Sequence, residues 1–222
     1  MGTAAPRVRA VLFDLDGTLV DSLDTIADAT VEAFGRHGHH VTADEIVPRI
    51  GPPMEVIARE LTGAAPDEAQ AMYQTYQDLY YTEYIQQTPV HDGAEALLDA
   101  MCAAGVALAV VTNKNEYGGR LMVQVQGWEG RFRSIVGRET ASHYKPHPAP
   151  ALHALQALGV APADAAFVGD TEADMACARD AGVRYVVGLT GARTADVLRA
   201  AGATHVVDTL AEAGSLLLGA AA

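Results

Sequence analysis

The sequence predicts an α/β fold, a parallel sheet covered on both faces and broken by one helical insertion. Three observations carry that expectation. Short β-branched runs recur along the 222 residues, each followed by a helical pattern, and continuous apolar runs of this kind suit strands buried on both sides. From about residue 19 to residue 87 there are helical patterns and no convincing strand, an interval far too long for a simple βα crossover. Several of the predicted strands end in polar residues, at the edge where open parallel sheets bind ligands.

The first strand is predicted over residues 8–13. Its run of Val11, Leu12 and Phe13 enters two carboxylates, Asp14 and Asp16, with Gly17 and Thr18 behind them. Helices are predicted over 24–35, 52–61 and 67–84, which makes 19–89 a second, helical domain. The core is then formed by residues 1–18 and 90–222. Its remaining strands are expected at 106–112, 134–136, 165–168, 184–187 and 204–207. The second strand ends in Thr112-Asn113 and the fourth in Gly169-Asp170. The Ala-rich tail after Leu218 is expected to fray.

Composition narrows the function. Half of the residues are apolar and 19% are charged, as in a soluble globular chain. A net charge of −13 argues against nucleic-acid binding, which needs Lys and Arg to neutralise phosphates. It also means that an anionic substrate requires a local positive centre such as a bound cation. The two cysteines, Cys102 and Cys177, have no ligand-like spacing, so neither a disulfide framework nor a zinc site is expected. The segment MGTAAPRVRAV lacks the apolar stretch of a signal peptide. No apolar run approaches the length of a membrane span. A cytoplasmic protein, monomer or homodimer, without a membrane or nucleic-acid partner is expected.

Two acids at the tip of an apolar strand repel each other unless a cation lies between them or one is protonated. Gly17 lets the chain curl, so that both can approach one ligand. The arrangement suits phosphoryl transfer: one carboxylate can attack phosphorus, and the other can protonate the leaving oxygen and then activate water. The alternative is an acidic turn with Asp16-Gly17 at its corner. In GDTEAD, Asp170 follows the fourth strand and Asp174 lies one helical turn on. Asp170 can be a simple helix N-cap. Beside two more acids, a hard cation such as Mg2+ is the better account, since Mg2+ takes one or two carboxylates and keeps water and phosphate oxygens.

In YKPHPAP, Lys145 precedes Pro146 at an expected helix entrance. There it can neutralise an attacking carboxylate and a phosphoryl group, or be a solvated surface lysine. Thr112 and Asn113 offer a hydroxyl and an amide to phosphate oxygens, with the following helix N-terminus adding N–H donors. The cluster His37, His39 and His40 reads as a loop. The sequence carries neither the phosphate loop of nucleotide hydrolases nor a Ser or Cys nucleophile in a recognisable setting.

Taken in order, DLDGT (14–18), VTN (111–113), KPHP (145–148) and GDTEAD (169–174) resemble the four motifs of the haloacid dehalogenase superfamily. DGTLVDS, IGPPMEVI and VVTNK look most like its phosphoglycolate phosphatase branch, although Asn115 stands where that branch often has Pro. The resemblance implies a Rossmann-like core with an inserted α-helical cap domain. It implies Asp14 as nucleophile, Asp16 as general acid/base, and Thr112 and Lys145 as holders of the phosphate. The Asp14 and Asp170 side chains and the Asp16 carbonyl would ligate Mg2+, with Asp174 behind them. Superfamily members that release halide lack the second Asp, so Asp16 points to phosphate esters.

The expected activity is Mg2+-dependent hydrolysis of a small phosphorylated metabolite, 2-phosphoglycolate first. Pyrophosphatase, nucleotidase, and sugar-phosphate phosphatase or mutase are the alternatives, and a silent phosphate-binding module is the non-enzyme one. Substrate choice is expected to lie in the cap. There the turn Arg49-Ile50-Gly51-Pro52-Pro53 can present a guanidinium fork to a carboxylate; equally, Arg49 can pair with Glu45.

Overall fold

The computed structural model describes residues 8–219; the last residues of the Ala-rich tail lie outside them. The chain divides into two compact units, one comprising the chain up to Val20 and from Val90 onward, the other spanning Asp21–Pro89.

Among the described residues of the first unit, six strands form one parallel sheet: β1 (Ala10–Phe13), β2 (Ala107–Val111), β3 (Phe132–Val136), β4 (Ala165–Gly169), β5 (Tyr185–Leu189) and β6 (His205–Val207). Their order is β3-β2-β1-β4-β5-β6. β1 is therefore central, and Ala10, Val11, Leu12 and Phe13 are all fully buried, as a two-sided strand requires. Alternate residues face opposite layers. Ala10 and Leu12 join one core with residues of α7 (Ala149–Leu158), α8 (Glu172–Asp180) and α9 (Ala195–Ala201). Helices α5 (Ala94–Ala103), α6 (Glu116–Val125) and α10 (Leu210–Leu218) complete this unit, and Gly214 of α10 packs close to Leu97 of α5.

The second unit is helical: α1 (Leu23–Arg36), α2 (Ala43–Ile46), α3 (Met54–Thr62) and α4 (Pro66–Leu79). In α1, Ile26, Ala27, Thr30, Ala33 and Phe34 are buried, the one-sided stripe of an amphipathic helix. The sequence pattern carries the last helix to residue 84, but the regular helix ends at Leu79. It widens into a π turn at Tyr80–Tyr84 and tightens at Ile85–Gln87. Tyr73, Tyr76 and Tyr80 stack in succession, with ring centroids 6.4 and 5.4 Å apart. The short α2 and the 3-10 turn Val47–Arg49 lie outside the helices that the sequence predicts. Thr42 and Glu45 supply a capping box there, which holds even one turn of helix.

The strand order reverses at β1, and the crevice at such a switch point is where this topology binds ligands. Phe13 lies in register with Val110 of β2 and Val168 of β4. The Asp14 amide extends the pairing with β4 by donating to the Val168 carbonyl at 3.0 Å. Asp14 and Asp170 thus leave adjacent strands at nearly the same level.

Candidate active site

Beyond β1 the chain makes a tight loop in which Thr18, Leu19 and Val20 all donate to the Leu15 carbonyl. Gly17 turns it with φ +80°. A Cβ at Gly17 would stand 2.5 Å from Asp170 Oδ2, so glycine is required both for the dihedral and for the approach. Thr18, fully buried, donates to Asp170 Oδ1 at 2.7 Å. Gly169 serves a second close approach, since a Cβ there would lie 2.6 Å from Asp174.

Asp14, Asp170 and Asp174 are buried and bring carboxylate oxygens within 4.8 Å of one another. Lys145 is buried with them. Its Nζ reaches Asp14 Oδ1 at 2.9 Å, Asp174 Oδ1 at 2.6 Å and the Val111 carbonyl at 3.0 Å. An ammonium has three donors, and all three find protein acceptors. Its three N–H groups are thus all engaged, and what the ammonium presents to the space beyond is charge.

Asp174 is consumed within the protein. Its Oδ1 faces Lys145, and its Oδ2 accepts from the Thr171 amide at 3.0 Å and from the Thr171 hydroxyl. Thr171, not Asp170, is the N-cap of α8, which leaves Asp170 free of that role. The Asn113 carboxamide also has a structural role. It clips the backbone of Lys145, accepting from its amide at 3.0 Å and donating to its carbonyl at 3.1 Å. Thr112 accepts from the Lys114 amide at 3.1 Å, and its hydroxyl keeps a proton to donate. Asn115 caps α6, its side chain accepting from Gly118 at 2.7 Å. The Asp16 side chain stands apart from the buried trio and pairs with Lys114 at 3.3 Å. Arg49, exposed in the helical unit, donates to the main-chain carbonyl of Glu45. Thr18, Lys114 and Thr171 thus join the site at this edge, although their motifs assign them no role.

Three acids around one ammonium leave excess negative charge in a buried place. Burial first, then the charge of Asp174, push Asp14 well above the ordinary carboxylate range. The same causes raise Asp170 to about 7. Burial pulls Lys145 down, but the charges of Asp14 and Asp174 outweigh it and hold the ammonium above its usual range. A divalent cation would relieve this imbalance. The donor set fits Mg2+: hard carboxylate oxygens on Asp14 and Asp170, with Asp170 Oδ2 facing the bare Cα of Gly17.

The family model described as haloacid dehalogenase-like hydrolase matches residues 11–187. A phosphoglycolate phosphatase of Xylella fastidiosa (strain 9a5c) is 36% identical over 191 residues, covering 84% of this chain and 82% of that protein. A phosphoglycolate phosphatase of Rhodospirillum rubrum is 33% identical over 94% of this chain and 90% of its own length. The crystal structure of a predicted phosphatase from Clostridium acetobutylicum superposes with a TM-score of 0.86 at 26% identity, covering 96% of this chain and 99% of that one. With the motif residues gathered at one sheet edge and a family match over most of its length, the chain belongs to the haloacid dehalogenase-like hydrolases.

Proposed function

We propose that the protein hydrolyses a small phosphomonoester, 2-phosphoglycolate first among candidates, through an aspartyl-phosphate on Asp14 and with Mg2+ as cofactor. The observation that carries the reading is the buried ammonium of Lys145 against Asp14 and Asp174. It fixes one oxygen of the Asp14 carboxylate. Lys145 and the Leu15 amide, which donates at 2.7 Å to the same Oδ1, aim Asp14 at an incoming phosphorus. The new Asp14–phosphorus bond forms as the bond to the leaving oxygen breaks, and Asp16 gives that oxygen its proton. Asp16 then takes a proton from the water that attacks phosphorus, which frees Asp14 and releases phosphate. The Thr112 hydroxyl donates to a phosphoryl oxygen. Asp14, Asp170 and the Asp16 carbonyl would hold Mg2+, whose charge offsets that of the phosphoryl oxygens when bound.

The helical unit is proposed to select the leaving group, with Arg49 as the cation for a substrate carboxylate. The names of relatives at 36% identity support 2-phosphoglycolate. The test is phosphate release with Mg2+ across a panel of 2-phosphoglycolate, pyrophosphate, nucleotides and sugar phosphates. The reading expects the highest kcat/KM on 2-phosphoglycolate. A higher value on another member moves the substrate, and no release from any of them overturns the activity.

A further inference from the structure

Of the 15 Lys and Arg residues in the chain, only Lys114 and Lys145 are lysines. Lys145 belongs to the buried cluster already described. The other also stands at the carboxyl edge of the sheet against a site carboxylate: Lys114 Nζ lies 3.3 Å from Asp16 Oδ2, with side-chain exposures of 7% and 15%. Several arginines, in contrast, carry surface pairs, among them Arg9, Arg36 and Arg120, whose side chains are more than half exposed.

A lysine stem held out of solvent loses considerable rotamer freedom, and here the backbone directs where that stem goes. The Lys114 amide donates to the Thr112 hydroxyl at 3.1 Å, and its carbonyl accepts from the Arg138 amide at 2.9 Å. The carboxylate opposite is equally well based. Asp16 makes a bridge pair with Val20, and the Gly17 amide donates to the Val20 carbonyl at 2.9 Å. Two pinned main chains from the loops after β1 and β2 thus bring one cation and one anion together.

We propose that Lys114 is a positioning residue for Asp16: the ion pair fixes the carboxyl group where it meets the leaving oxygen and then the attacking water. This rests on the reading of Asp16 as the general acid/base.

The test compares phenyl phosphate, a poor leaving group, with 2,4-dinitrophenyl phosphate, a good one, under saturating Mg2+. Lys114→Met is expected to lower kcat on phenyl phosphate by about 10–100-fold and on the dinitrophenyl ester by less than about threefold, with KM changed by less than about twofold. Lys114→Arg, which keeps the charge, restores most of the rate. In an Asp16→Asn background, Lys114→Met adds less than about a further twofold loss, since the carboxylate it positions is gone. If Lys114→Met loses cooperative unfolding, Lys114→Gln reads the same contrast. Equal losses on both esters, a raised KM at unchanged kcat, or a large further loss in the Asp16→Asn background each overturn the proposal. The acid/base reading fails separately: Asp16→Asn alone would then lower both esters equally.

Discussion

Asp174 accepts a 2.6 Å hydrogen bond from the Lys145 ammonium, and both side chains are buried. The pair sits behind Asp14 and stores an imbalance, three acids to one cation. Removing the cation should therefore be worse than removing the supporting acid. Lys145→Met is expected to destabilise the metal-free protein by roughly 3–5 kcal/mol, the usual scale for stranding a buried charge. Asp174→Asn should lose less, because it also relieves the repulsion on Asp14 and Asp170. Urea unfolding of the two variants in excess chelator checks the order; a Lys145→Met variant as stable as the wild type would contradict it.

Asp170, raised to about 7 by burial and by Asp174, keeps its proton in the folded protein over a range where the unfolded chain has released it. The folded state then binds more protons between about pH 4 and pH 7, so metal-free stability falls as pH rises through that window. Mg2+ must displace that proton at low pH and need not at higher pH. Thermal unfolding should show a larger Mg2+-induced rise in Tm at pH 7.5 than at pH 5, reduced by Asp170→Asn. An equal rise at both pH values would contradict a proton on Asp170 at pH 5, and an unchanged rise in Asp170→Asn would remove Asp170 from the metal site.

Asp16→Asn should slow turnover of alkyl and phenyl phosphates by roughly 10²–10⁴-fold, the range of a general acid/base. The deficit should shrink on dinitrophenyl phosphate, whose leaving group departs without a proton. The ratio of the two losses, taken from steady-state kcat, is the readout. A ratio near one makes Asp16 a structural residue.

Arg49 donates to the Glu45 carbonyl from an exposed turn, which anchors the guanidinium and leaves further donors for an anion. Arg49→Ala is expected to cut kcat/KM on 2-phosphoglycolate by about tenfold, the scale of a lost charged hydrogen bond. On p-nitrophenyl phosphate, which lacks the carboxylate, the change should be small. Equal losses on the two substrates would point to a role in the fold of the helical unit.

Much of this architecture is legible in the sequence because burial on two faces writes itself as unbroken apolar runs. β1 and β4 are examples, with Val11–Phe13 and Ala166–Val168 shut from solvent. β3 is harder to read: it lies at the sheet edge, and Arg133 interrupts its apolar pattern, so only its last three residues, 134–136, stand out. The end of α4 is hidden for another reason. Its Tyr-rich stripe continues past Leu79, and the π turn that follows keeps a helical look while shifting the register. At the site, acids at strand tips announce themselves, whereas Asn113 does not show that its amide clips the Lys145 backbone. That contact joins loops 32 residues apart in sequence, and spacing alone carries no trace of it. Lys114 does leave a signal, the scarcity of lysine in a chain whose cations are otherwise arginine.

A covalent intermediate on Asp14 is open to reductive trapping. Borohydride converts an acyl phosphate on aspartate to homoserine, which peptide mass spectrometry locates to one residue. Quenching the enzyme with borohydride during turnover of 2-phosphoglycolate with Mg2+ should place homoserine at position 14, and nowhere when substrate is left out. Asp14→Asn, which cannot form the adduct, should show neither trapping nor turnover above background. Homoserine at another aspartate, or sustained turnover by Asp14→Asn, would contradict the account.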